Sequence, residues 1–414
     1  MNSPAHKMRR GLLSDYFEGV AVKRLSAVEA DPKRSHQHEF QGGHIRKLMG
    51  DDDRLKIPAR FIWLSDEQEA ISEDSVVSWY DSRRKQPHRS PEYRLYYYAN
   101  SVTALMGEGD TFFVAMHPDG TALIIVTPKD STIQSQLIYL FGLEEQPGFT
   151  FKVKEIPEDQ SSRLDFAARY ILDELGIDAE EPEADKLDSI LEPFGLNFPA
   201  TSDFSKLARD SLTNVSASDN ADAVLMAWIE REELLFRRLE RLVVADRLRA
   251  GFLTDKVPDV DGFISFSLSV QNRRKSRAGK SLEHHVAALF SARKLKFERG
   301  VETEHRNKPD FLFPGRAAYQ DAKFKAEKLT MLGSKSTCKD RWRQVLSEAQ
   351  RIPHKHLLTL EPGISENQTD EMRAKKLQLV LPASLHATYR EVQRSWLMNV
   401  ENFVNLVKTR QAAG

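Results

Sequence analysis

Lys308-Pro-Asp-Phe-Leu-Phe313 places a carboxylate, Asp310, at the mouth of a short apolar strand, and the next forty residues supply its chemical partners. Downstream stand Lys335, the run Lys339-Asp-Arg-Trp-Arg343 and then Glu348. Two carboxylates and a lysine are what metal-dependent phosphodiester hydrolysis requires. The carboxylates hold a hard divalent cation, and the lysine steers and helps activate the attacking water. Thr337-Cys-Lys-Asp340 has the form of a capping box opening a helix to about Arg351, with Trp342, Val345, Leu346 and Ala349 as its apolar stripe and Glu348 at the stripe's edge. Further strands are expected at Lys355–Leu360 and Leu377–Leu381, and a closing helix over Val392–Val407. Helices flanking a mixed sheet make residues 221–414 an α/β domain.

Two triads can be drawn on Asp310. Pro309-Asp310, ten residues and then Asp321-Ala-Lys323 has the spacing of the PD-(D/E)xK nuclease pattern. That reading needs residues 321–323 on a strand beside Asp310, yet Gln320–Lys328 is polar and suits a helix or loop better than a central strand. The second triad is Asp310, Lys335 and Glu348, with Ser334 near the usual place of the acid and the carboxylate supplied from a helix.

Outward from this stretch, Ala223–Val244 shows apolar residues at three-and-four spacing and reads as a helix whose charges form a solvated face. The basic run Arg273-Arg-Lys-Ser-Arg277 is either a solvated loop or a phosphate clamp made of Arg273, Arg274, Lys275 and Arg277. Gly279-Lys-Ser-Leu-Glu283 opens the next helix, where Glu283 either adds a carboxylate to a metal site or meets the helix N-terminus. Residues 146–220 are acidic and Pro-bearing, with a helical pattern at Arg163–Leu175, and are expected to form a partly helical connector. Residues 1–145 are β-rich. Val20–Leu25 and Arg94–Tyr98 read as strands, Thr111–His117 and Thr121–Thr127 as a hairpin about Pro118-Asp-Gly120, and 131–142 as a short helix. A small barrel or sandwich fits them.

The totals narrow the partners. A chain of 414 residues favours two or three domains. The formal net charge of -1 supplies no global field toward nucleic acid, so a DNA-binding surface must be local. Cys338 is the single cysteine, which excludes an internal disulfide and a Cys-rich zinc site, and it is expected to be a buried small residue. No apolar run reaches membrane-spanning length, and Met1–Arg10 is followed by no signal-peptide core, so a cytoplasmic protein is expected. His36, His38 and His44 lack strong metal spacing, and His284, His285, His354 and His356 are expected on helix or strand surfaces. The glycines near 42 and 107 are followed by no Lys-Ser/Thr of a phosphate loop.

Asn272–Glu283, Lys308–Pro314 and Ser336–Gln344 together resemble the catalytic half of EcoRII-type (type IIE) restriction endonucleases, PD-(D/E)xK enzymes with a displaced catalytic glutamate. His356–Leu360 is similar to another strand of that family, and the likeness spans most of 222–410. Lys23–Ala27, His36-Gln37 and Ser82–Arg94 resemble, more weakly, the family's effector-DNA-binding domain, a pseudo-barrel. The resemblance implies Asp310, Lys335 and Glu348 as the triad, with Asp310 and Glu348 binding Mg²⁺, Tyr319 as an active-site tyrosine and Asp321-Ala-Lys323 as a coincidence of spacing. It assigns base reading to Lys339, Asp340 and Arg341, where Lys or Arg donates to guanine and Asp accepts from cytosine, so a CC/GG-containing palindrome is expected. It places effector-DNA contacts at His36, Arg89, Glu92 and Arg94. The whole is then a multi-domain type II endonuclease cutting double-stranded DNA: a 1–145 effector domain, the 146–220 connector and a 221–414 catalytic domain. The resemblance also implies a homodimer, no membrane, a cognate DNA methyltransferase as functional counterpart and an N-terminal domain that occludes the cleft until it binds a second site. The competing readings are a catalytically silent DNA-binding protein, a modification-dependent nuclease and a scaffold unrelated to DNA.

Overall fold

The computed structural model describes residues 11–31, 38–86, 88–143, 147–158, 164–179, 187–254, 256–338 and 341–412. It forms two compact units, Met1–Pro182 with Pro362–Asn367, and Glu183–Glu361 with Gln368–Gly414. The division falls inside the stretch expected to be a connector. Helical residues 166–174 pack into the first unit's core through Ile171 and Leu172, whereas Leu187, Leu191, Phe204 and Ala208 pack with Leu235 and Phe236 in the second. Apolar side chains decided where the described parts of this segment went.

The first unit is one eight-stranded sheet made of β1 (Gly19–Arg24), β2 (Glu39–Gln41), β3 (Arg54–Trp63), β4 (Ile71–Asp81), β5 (Tyr93–Tyr97), β6 (Thr111–Met116), β7 (Ala122–Thr127) and β8 (Lys152–Glu155). The order is β2-β5-β4-β3-β7-β6-β1-β8, antiparallel except for the β3–β7 pair. The β6–β7 hairpin is apolar at nearly every position because both of its faces are covered. Phe112, Val114, Ile124 and Val126 enter one core while Phe113, Ala115, Leu123 and Ile125 enter the other. The second face is closed by α1 (Thr132–Leu140), capped by the Ser131 side chain, and α2 (Phe166–Glu174), capped by Asp165. The sheet curls: Phe40 on β2 lies 4.7 Å from Phe112 on β6 and 6.0 Å from Phe151, just ahead of β8, ring centre to ring centre. The ladder stays open at β2 and β8, so the expected barrel is a curled sheet with two edges.

In the second unit α3 (Thr201–Asp210) packs against a pair of long helices, α4 (Ala221–Ala250) and α5 (Val260–Ala292), joined through the two-stranded β9 (Leu253–Thr254) and β10 (Val257–Pro258). The expected helix start near Gly279 is corrected: α5 begins twenty residues earlier, capped by Asp259, and runs straight through the basic segment. Residues 260–272 are rich in Ser and β-branched residues and weak in helix propensity, so the local signal was missing. Nor do the charges of α4 all face water. Glu232 and Glu240 are 0% and 2% exposed, and they accept bonds from Arg277 (2.6 Å) and Arg274 (2.6 Å) of α5. His285, expected on a surface, is fully buried with Nε2 2.6 Å from Glu232. Burial pushes the Glu232 carboxyl up, but His285 and Arg277 outweigh it and its net shift is downward, while burial lowers His285. A charged Glu232 facing Arg277 and a neutral imidazole follows. Glu232→Ala leaves Arg277 buried without its counter-ion and is expected to cost about 3–5 kcal/mol of unfolding free energy in a denaturant titration.

Beyond the helices lies a five-stranded mixed sheet, β11 (Glu298–Arg299), β12 (Phe311–Phe313), β13 (Thr330–Lys335), β14 (Lys355–Thr359) and β15 (Leu377–Val380), in that order. β11, β12 and β13 pair antiparallel; β13, β14 and β15 pair parallel. Two helix expectations are corrected here. α6 is only Trp342–Val345, because the chain turns through a left-handed Ala349 (φ 46°). The closing helix is split into one turn at Glu391–Arg394 and α7 (Val400–Ala412). His356 is also buried, at 3% exposure, against Phe403.

Candidate active site

The register of two antiparallel strands builds the first contact. Phe311 on β12 pairs with Leu332 on β13, so Asp310, one residue before β12, lies beside the residues that end β13. Asp310 Oδ2 accepts from the Ser334 backbone N–H at 2.6 Å and from Lys335 Nζ at 2.9 Å. Twenty-five residues of chain separate the two groups, and the pairing brings them together. Asp321 and Lys323 occupy an exposed turn outside the sheet, where Asp321 caps the Lys323 N–H at 2.9 Å. They do not join Asp310.

Glu348 comes from the turn after α6, not from a helix face as expected. α6 lies close on the sheet because Gly333 carries no side chain: a Cβ there would sit 2.8 Å from Val345. Lys355, at the start of β14, then grips the turn from beneath. Its buried ammonium donates to the carbonyl oxygens of Glu348, Ala349 (3.2 Å) and Ile352 (3.3 Å), and burial lowers its pKa. The Glu348 side chain is 8% exposed, and its Oε2 has no hydrogen-bond partner among the described residues. Burial raises its pKa to about 7, and the neighbouring charge of Asp310 adds to the rise against the pull of Lys335 and Lys355. Asp310 and Lys335 thus share a hydrogen bond, and Glu348 is electrostatically coupled to both.

Two participants escaped the sequence reading. Lys355 looked like an ordinary strand residue. Glu304 had no motif around it, yet both its oxygens lie 2.7 Å from the Tyr319 hydroxyl. Tyr319 is 5% exposed, and its hydroxyl also accepts from the Arg351 N–H at 3.2 Å; burial and Glu304 push its pKa up to about 12. A lysine at a strand start and a glutamate in a turn carry no signature until the fold surrounds them.

The other expected residues distribute as follows. Arg341 is exposed at the N-cap of α6; Lys339 and Asp340 lie outside the described residues, as does His36. Arg277 is corrected from phosphate contact to a buried ion pair, stacked 3.9 Å over Phe236. Arg274 pairs with Glu240, and Arg273 lies over Phe198 at 4.1 Å. Nothing of the Lys275 side chain is described. Glu283 pairs with Arg299 at 2.8 Å on the exposed side of α5. Glu92 bridges Arg83 and Arg94, while Arg89 is exposed on its loop with a 3.1 Å bond to Gln86. No group of three or more His, Cys, Asp or Glu suited to a metal occurs among the described residues.

A helix-flanked mixed sheet sets an aspartate and a lysine together at a strand junction, with a buried glutamate electrostatically coupled to both, which is the arrangement expected of a restriction-endonuclease-like domain. Residues 236–404 match the family model described as EcoRII C terminal. The chain is 44% identical over 214 residues to the type II restriction enzyme EcoRII of Escherichia coli, a match covering 51% of each chain, so it spans about half the length of that relative. Two solved structures overlap it: metal-depleted Ecl18kI in complex with uncleaved, modified DNA (16% identity, TM-score 0.45, 56% of this chain and 84% of that one) and a PspGI–substrate DNA complex (14% identity, TM-score 0.44, 53% and 95%). No described helix is long and apolar enough to cross a membrane.

Proposed function

We propose that this chain is a Mg²⁺-dependent type II endonuclease that hydrolyses double-stranded DNA at a short CC/GG-containing palindrome. The observation that carries the reading is the hydrogen-bonded pair of Asp310 and Lys335, with a buried Glu348 electrostatically coupled to both. The orphaned Glu348 Oε2 fits a divalent cation, which would give that buried oxygen a partner and take Asp310 as its second ligand. Such a cation would supply a Lewis acid for the phosphate. Lys335 orients the attacking water and stabilises the charge that builds on the phosphorus oxygens. Tyr319, held by Glu304, positions the scissile phosphate. Arg341, with Lys339 and Asp340, reads G·C pairs in the major groove. With one such site per chain and two strands to cut, the acting species is a homodimer on a palindrome. The first unit, with Arg89, Glu92 and Arg94, serves as the effector-DNA domain and regulates cleavage.

The test is plasmid cleavage with Mg²⁺, followed by mapping of the ends, with unmethylated and methylated substrates and excess site-bearing duplex. Ends sharing a G·C-containing palindrome support the reading. Cleavage confined to methylated plasmid replaces it by a modification-dependent nuclease. Salt-dependent binding without cutting under any of these conditions makes the chain a silent DNA-binding protein.

A further inference from the structure

The turn that carries Glu348 is held by two separate segments. One is the start of β14, where the Lys355 ammonium donates to the carbonyl oxygens of Glu348, Ala349 and Ile352. The other is Thr303–Asn307. The Asn307 side-chain amide donates to the Ser347 carbonyl at 2.9 Å, Thr303 Oγ1 accepts from the Ala349 N–H at 3.4 Å, and Glu304 accepts from the Gln350 N–H at 3.1 Å. Within the turn Ala349 is left-handed, a conformation that its Cβ disfavours. The surrounding bonds therefore impose a path that the local sequence would not take.

Two features point beyond simple stability. Lys355 is 8% exposed, and an ammonium is costly to bury even with its donors satisfied. A methionine would fill similar space without that cost. All three acceptors are carbonyls of one short turn, so this charge is used to fix a backbone path. The second feature is where Thr303–Asn307 leads. Asn307 precedes Asp310 by three residues, and Ser347 precedes Glu348 by one. The Asn307–Ser347 bond thus ties together the two segments, forty residues apart, that bear the carboxylates. His305 and Arg306 are left-handed as well (φ 57° and 62°), and backbone of that kind persists only where its surroundings hold it.

We propose that Lys355 is a positioning residue of the cleavage reaction: together with Asn307 it fixes the turn that presents Glu348 and so sets how Glu348 and Asp310 stand relative to each other. The inference rests on the proposed reading of those two carboxylates as the ligands of a divalent cation. Mg²⁺ demands near-ideal octahedral geometry, whereas Ca²⁺ accepts flexible oxygen sets, so a loosened turn penalises Mg²⁺ more.

The experiment compares the full chain with Lys355→Met and Asn307→Ala. Mg²⁺ and Ca²⁺ are titrated separately against the melting temperature without DNA, and Mg²⁺ against single-turnover cleavage. Lys355→Met is expected to raise the Mg²⁺ concentration needed for a given effect about 10–100-fold in both readouts, and Asn307→Ala about 10-fold. The Ca²⁺ requirement shifts less, and the DNA concentration at half-saturation stays within about 2-fold of wild type. A lysine that only stabilised the fold would lower the melting temperature by the same amount at every cation concentration and leave the Mg²⁺ requirement unchanged. That result in folded variants of a wild type that cuts overturns the inference and leaves the nuclease intact. If Lys355→Met fails to fold, Asn307→Ala decides by the same criterion. A wild type that neither cuts nor gains stability from either cation removes the nuclease reading, and the positioning role with it.

Discussion

Lys335→Ala is expected to reduce DNA cleavage by at least about 10³-fold, while Lys323→Ala stays within about 2-fold of wild type. The two lysines compete on sequence spacing alone, and their surroundings differ sharply. Lys335 bonds Asp310 at 2.9 Å with its side chain 16% exposed. Lys323 lies in an exposed turn. On the proposed mechanism, loss of Lys335 removes the cation that stabilises the charge developing on the phosphate. Loss of Lys323 alters a solvated surface. Single-turnover cleavage at saturating Mg²⁺ measures both. Activity retained by Lys335→Ala and lost by Lys323→Ala would transfer the catalytic lysine to the pattern-matching position and leave the enzyme class intact.

Glu348→Gln is expected to act in opposite directions on activity and stability. On the proposed mechanism the substitution removes a metal ligand and costs several kcal/mol of transition-state stabilisation, on the order of 10³-fold in rate. The stability effect follows from the pKa of about 7 held by the folded carboxyl. Because the folded value lies above the unfolded one, the native state favours the protonated form. That stabilisation is complete below about pH 4 and is lost as pH rises to about 7. Above pH 7 the metal-free protein carries a buried, unpartnered charge. The glutamine variant escapes it, and in EDTA at pH 8 is expected to be more stable by about 1–3 kcal/mol, with no difference near pH 4. Added Mg²⁺ raises the melting temperature of wild type and not of the variant. A variant less stable than wild type at pH 8 without metal would mean that Glu348 has a favourable partner, and the case for a cation at its Oε2 would go with it.

Much of the architecture was legible because it depends on local apolar pattern. Thr111–Thr127 reads as a hairpin from composition and turn residues, and Phe311–Phe313 as a buried strand. The errors occurred where distant partners overrode local rules. A run of four basic residues in five suggests an exposed clamp, yet Arg277 is taken inside by Glu232, forty-five residues earlier in the chain. A serine-rich segment suggests no helix, yet α5 extends through it alongside α4. The capping pattern before Trp342 suggests a long helix, yet the turn at Ala349, gripped by Lys355, stops it.

The sequence by itself determined which chemical groups are available: a Pro-Asp ahead of a strand, lysines at two rival positions, a later glutamate and no second cysteine. These are matters of composition and short-range order. Only the tertiary structure decided which lysine meets Asp310, because strand register is a contact between segments far apart in the chain. It also decided that Glu348 is buried and electrostatically coupled to them, because the desolvation that raises its pKa is a property of the packed turn and not of glutamate.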